Sequence, residues 1–94
     1  MDIQLFQECI KETYIEKDSK RGIQGTFLWF TEEVGELARA IRKGNHEQKE
    51  EEFSDVFAWL ASLANLCNID MNKVSQRYAA GCPKCKAKRC ECNE

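Results

Sequence analysis

Apolar residues return every three or four positions through most of this chain, and no segment alternates with period two, so the pattern predicts helices throughout. Ile3, Phe6, Cys9, Ile10 and Tyr14 trace the first helix over residues 2–18, with Gln4, Glu8, Lys11, Glu12 and Glu16 opposite. Asp18-Ser19-Lys20-Arg21-Gly22-Ile23-Gln24-Gly25 then interrupts the period with two glycines, a serine and an aspartate, the composition of a loop. Thr26 is placed to cap a second helix running to about Lys43, on which Phe27, Phe30, Val34, Leu37 and Ile41 form one stripe. After Gly44-Asn45 comes a third helix, about His46 to Asn68. Its apolar face takes in Phe53, Val56, Phe57, Trp59, Leu60, Leu63, Ala64, Leu66 and Cys67, well over half the circumference. One partner helix cannot cover so much, so this helix is either central or part of a subunit interface. Asp70 can cap a short fourth helix from Met71 to about Ala80, closed by Gly81. The fold class expected is all-α: an antiparallel helical bundle over residues 1–80, completed by oligomerisation, with a short cysteine-rich basic tail at 81–94.

Two acidic groups stand out against this pattern: Glu32-Glu33-Val34-Gly35-Glu36 and Glu52-Phe53-Ser54-Asp55. Residues three or four apart share a helix face, with Cβ atoms about 5–6 Å apart, so Glu33 neighbours Glu36 and Glu52 neighbours Asp55. The turn at Gly44-Asn45 brings the two pairs face to face. Glu33 and Glu36 run along the edge of the apolar stripe, beside Trp29 and Ala40. Glu52 falls inside the apolar face of its helix and Asp55 at its border. An ionised carboxylate in apolar surroundings is normally paired or bound to metal, and converging carboxylates suit magnesium, which takes hard oxygen ligands. The plainer alternative is a set of surface glutamates with Lys49 or Arg39 as partners. It suits Glu47, Glu50 and Glu51 well and Glu52 poorly.

Composition narrows the picture. With 94 residues the chain makes one small domain, a size at which oligomerisation or metal commonly adds stability. A net charge of −2 and a pI near 5.5 give no general attraction to nucleic acid or to anionic membranes. Met1-Asp2-Ile3-Gln4-Leu5 lacks the basic region and apolar run of a signal peptide. No stretch approaches the ~20 apolar residues of a membrane span, so a soluble, cytoplasmic protein is expected. There is no glycine-rich phosphate loop. The sole histidine, His46, sits at a helix start among charged residues, where surface or capping duty suits it better than catalysis.

Of the six cysteines, Cys9 and Cys67 occupy apolar helical positions and are expected to be small buried hydrophobes. Cys82, Cys85, Cys90 and Cys92 crowd the tail among Lys84, Lys86, Lys88 and Arg89. Four thiolates are as many as a structural zinc takes, while disulfides or a loose reduced tail are the alternatives. The loop at 18–25 is basic, through Lys17, Lys20 and Arg21, and is either solvated or able to hold phosphate oxygens. Lys73 and Arg77, four apart, are likewise solvated or a second clamp. Gly35 between the acids marks either a close approach by a backbone or ligand, or a tolerated surface position. Trp29, on the acidic stripe, either stacks on a base or packs in the core.

Glu32-Glu33-x-x-Glu36, fifteen intervening residues and Glu52-x-x-Asp55 resembles the signature of the MazG-type nucleotide pyrophosphohydrolases. These belong to the wider all-α NTP pyrophosphatases, which include dimeric dUTPases and dCTPases. The likeness covers about residues 5–80. It implies magnesium-dependent hydrolysis of nucleoside triphosphates to monophosphate and pyrophosphate, with a part in clearing non-standard or excess nucleotides. Glu33, Glu36, Glu52 and Asp55 match the metal ligands, and Glu32 a further acidic position that orients the attacking water. Lys17, Lys20, Arg21, Lys73 and Arg77 are the candidates for phosphate binding. Trp29 and Trp59 are the candidates for the base, which they do not identify, since an aromatic ring stacks on any base. Family members form dimers or tetramers, with a four-helix bundle between subunits. The competing reading is a non-catalytic helical interaction module whose tail binds zinc.

Overall fold

The computed structural model of the protein describes residues 1–93; Glu94, the last position of the tail, lies outside the described residues. Among these residues the regular structure is helical, with no strand: α1 (Ile3–Lys43), α2 (His46–Leu66) and α3 (Met71–Ser75), which runs into a 3-10 turn at Gln76–Tyr78. None of the helices is long and apolar enough to cross a membrane.

The loop expected at 18–25 is a break of one residue. Gly22 alone leaves the helical region, at φ 82° and ψ 171°, a conformation that costs glycine little because it has no Cβ. Asp18, Ser19 and Thr26, residue types that suit turns and caps, are helical here, and Arg21 links the first to the last. Its Nη1 donates to Asp18 Oδ1 at 2.9 Å and to Thr26 Oγ1 at 3.2 Å, so one guanidinium ties the arm before Gly22 to the arm after it. Both acceptors are buried, Asp18 at 2% and Thr26 at 0% exposure. Thr26 is therefore an interior acceptor and not an N-cap. A Cβ on Gly25 would meet Arg21 Cγ at 2.8 Å, so the second glycine of the stretch leaves room for that side chain.

The other boundaries follow their caps. Asp2 accepts from Leu5 N at 2.8 Å. Asn45 and Gln48 form a reciprocal capping box at the start of α2, while His46 sits on the surface, 3.6 Å from Glu50. α2 stops slightly short of the expected Asn68, which takes a left-handed φ of 56°, tolerated by asparagine better than by most residues. Cys67, expected to be buried, caps this end and is exposed; Cys9 is half-buried. Asp70 accepts from Lys73 N at 3.1 Å to start α3, which tightens into the 3-10 turn well before Ala80.

α2 packs against both arms of α1. Phe6 stacks on Phe57 with ring centroids 4.5 Å apart, and Trp29 on Trp59 at 5.9 Å. At one end Gln7 donates to Asn65 Oδ1 and to the Ile69 carbonyl, and its own oxygen accepts from Met71 N, pinning the start of α1 to the end of α2 and the start of α3. Ala61 and Ser62 are buried on α2, small residues that permit close helix approach. The interior is nevertheless thin. Among the described residues its buried apolar side chains are Ala40, Ala61 and Met71, and its buried polar ones Asp18, Thr26 and Ser62. Phe27, Leu28, Val34 and Ile41 on α1 and Phe53, Phe57 and Leu60 on α2 are left exposed. The radius of gyration, 15.4 Å, exceeds the roughly 12.4 Å of a compact domain of this length.

Candidate active site

The cap at Asn45 turns the chain so that the last turns of α1 face the first turns of α2, and the acidic residues meet there. One carboxylate oxygen from each of Glu33, Glu36 and Glu52 lies within 4.8 Å of the others. Glu33 Oε2 and Glu52 Oε2 are shielded from solvent and have no hydrogen-bond partner. Shielding, followed by the charge of Glu36 and Asp55, raises the Glu33 and Glu52 carboxyls above the ordinary glutamate value of 4.5. The ion pairs among the described residues are Arg21–Asp18 and His46–Glu50, so neither Lys49 nor Arg39 neutralises the cluster. Three converging carboxylates, two of them with a shielded, unpartnered oxygen, are a donor set that suits a hard divalent cation. In that sense these residues fit magnesium.

Asp55, one turn beyond Glu52, is near enough to raise both of those carboxyls but stands outside the tight group of three. It lines an adjoining cleft of about 270 Å³ together with Tyr14, Lys17, Arg21, Trp59 and Ser62. Asp55 thus shares this cleft with two cations. Arg21 is held over the Trp59 ring at 4.7 Å as well as by Asp18 and Thr26, and Trp59 in turn stacks on Trp29. Glu32 is exposed in a separate shallow groove with Trp29, Gly35, Glu36 and Arg39. Lys20 is exposed outside the cleft lined by Lys17 and Arg21. Lys73 and Arg77 are also exposed, at the end of the molecule where α3 meets Gln7, and Arg77 lies over the Tyr78 ring at 5.7 Å. The structure therefore groups Lys17 and Arg21 with Asp55, one turn from Glu52, and leaves the other three cations apart.

Asp18 is the site residue that pattern reading missed. Its residue type suits a loop, yet it is the buried anchor of Arg21. Its i,i+3 spacing to Arg21 was the available signal. Gly35 turns out to have no chain atom within 4 Å of the position a Cβ would take. Gly35→Ala will therefore stabilise the protein by about 0.5–1 kcal/mol, the helix-propensity difference, read as a higher Tm. A lower Tm would mean that another backbone packs against this face. In the tail, the four thiols of Cys82, Cys85, Cys90 and Cys92 also converge. The Glu91 and Ala87 amides hold the Cys85 thiol down at about 6.

A carboxylate cluster between two helices, flanked by a basic cleft and stacked aromatics, defines the protein as an all-helical candidate for metal-assisted phosphate chemistry. The family model described as MazG nucleotide pyrophosphohydrolase domain matches residues 21–87, and the chain belongs to that family. The match holds all five acids and, reaching past Gly81, takes in Cys82 and Cys85 as well. No curated protein matches the chain.

Proposed function

We propose that this chain is a magnesium-dependent nucleoside triphosphate pyrophosphohydrolase, which releases the monophosphate and pyrophosphate. The observation that carries the reading is the unneutralised group of Glu33, Glu36 and Glu52, with two shielded oxygens lacking any partner, inside a MazG domain. The plainer alternative, surface glutamates partnered by Lys49 or Arg39, finds no such ion pair among the described residues.

Glu33, Glu36, Glu52 and Asp55 would hold the metal. Magnesium, when bound, neutralises phosphate charge and makes a coordinated water more acidic. Glu32, on the rim, orients the water that adds as the link between α- and β-phosphates breaks. Lys17 and Arg21 donate to the oxygens of the departing pyrophosphate, whose charge grows during cleavage. Arg21 is already fixed by Asp18, Thr26 and Trp59, so little side-chain freedom is lost when it engages phosphate. Trp29 offers the exposed face of a stacked pair to a base. Clearance of non-standard nucleotides is the cellular role this chemistry suits.

The thin interior supports assembly. Exposed stripes on α1 and α2 and an extended radius of gyration suit an antiparallel bundle completed by other copies, as a dimer or tetramer. Pyrophosphate release from a panel of nucleoside triphosphates, with and without magnesium, tests the activity. Release of pyrophosphate from at least one, only with magnesium, is expected. No release from any of them would refute the proposal.

A further inference from the structure

We propose that Cys82, Cys85, Cys90 and Cys92 form a tetrahedral zinc site that folds the tail, independent of the carboxylate cluster and of the hydrolase reading. All six cysteines are free thiols, and the four in the tail place their sulfurs within 4.8 Å of one another. Zn–S bonds of about 2.3 Å in a tetrahedron set the sulfurs about 3.8 Å apart. The Cys82 and Cys92 sulfurs are 3.7 Å apart.

The backbone around them is built for the same purpose. Lys86 N donates to the Cys82 carbonyl and Cys82 N to the Ala87 carbonyl, each at 2.9 Å, closing a tight knuckle at Cys82-Pro83-Lys84-Cys85. The knuckle needs Lys86 at φ 66°, a left-handed conformation that lysine seldom takes. Backbone amides also point at sulfur: Glu91 N at Cys85 Sγ and Cys92 N at Cys90 Sγ, both at 3.4 Å. Such bonds orient thiolate ligands and spread their charge.

Nothing else in the tail can repay its order. Beyond the cysteines, residues 82–93 offer Pro83 and Ala87 as apolar side chains and contain no helix or strand. That falls short of the entropy lost in fixing this length of backbone. A metal held by four ligands repays it directly. Four thiolates on a divalent ion leave a net charge of about −2, and Lys84, Lys86, Lys88 and Arg89 lie in the same stretch to offset it. An all-sulfur tetrahedral set selects zinc or iron and not magnesium. Of the two, zinc is the ion proposed, because four protein ligands closing a tetrahedron are the arrangement of a structural zinc site.

Elemental analysis of full-length protein, purified under reducing conditions, is expected to give about one zinc per chain, and Cys85→Ser and Cys90→Ser about none. Glu36→Gln should keep its zinc, which separates this site from the carboxylates. Should the cysteine variants not fold, alkylation of the wild type read by mass spectrometry decides the matter. With zinc bound, the four tail thiols should be protected while exposed Cys67 reacts, and chelation should open them together. Iron in place of zinc, tail disulfides in the purified protein, or tail thiols that alkylate at the rate of Cys67 with zinc present would each overturn the proposal.

Discussion

Glu52→Gln will lower magnesium-dependent triphosphate hydrolysis on the order of a hundredfold or more, while the metal-free protein becomes more stable. The two effects share one cause. Glu52 carries a shielded, unpartnered oxygen on α2 and faces Glu33 and Glu36 across the helix pair. Those features attract a cation and are unfavourable without one. Glutamine keeps the shape, removes the charge and so relieves the repulsion. Steady-state kinetics and melting in chelator read the two halves. Full activity in the variant would remove Glu52 from the site.

The same charges give the metal-free protein a characteristic pH dependence. Glu33 and Glu52 titrate above the ordinary value of 4.5, so the folded state holds protons that the unfolded chain has released. Their favourable contribution is complete below that value and is lost as pH rises through the raised folded values. Stability in chelator should therefore fall as pH climbs from about 4.5 toward neutrality. The fall should be shallower in Glu52→Gln and in excess magnesium. A stability that rises over this window would contradict the assigned environment.

Leu60→Glu is expected to dissociate the proposed assembly, weakening subunit association on the order of a thousandfold through an unpaired charge in an apolar interface. Leu60 is 43% exposed in the single chain and continues the stripe of Phe53 and Phe57, at 58% and 41%. α2 buries Ala61 and Ser62 but leaves these large side chains outside, and they are the surface the proposed assembly would cover. Sedimentation or size exclusion with light scattering should give a dimer or tetramer for the natural chain and a monomer for the variant. A natural chain that is monomeric at micromolar concentration would contradict the expected assembly.

Much of this was legible from residue spacing. Asp70 acts as the cap the pattern assigned it, and Glu52 is conspicuous as an acid within an apolar helix face. What spacing hid was long-range or conditional. Asp18, Ser19, Gly22, Gly25 and Thr26 have the composition of a loop, because their side chains compete with backbone hydrogen bonds or release backbone freedom. Arg21, bonding to Asp18 and Thr26, ties the two arms together across a break confined to Gly22. The stripe of Phe27, Val34 and Ile41 was readable as apolar, but periodicity cannot say whether its partner is the same chain or another. In the tail, C-x-x-C followed by C-x-C leaves zinc, disulfide and free thiol open. The folded knuckle at Lys86 brings the sulfurs together without bonding them to one another.

The most direct measurement of the central claim follows the protein, magnesium and a nucleoside triphosphate by phosphorus NMR, with the Glu52→Gln variant alongside. The expected result is monophosphate and pyrophosphate in equal amounts, formed by the natural chain with magnesium and not by the variant or in chelator. Diphosphate with orthophosphate as products, or turnover at the natural rate in Glu52→Gln, would contradict it.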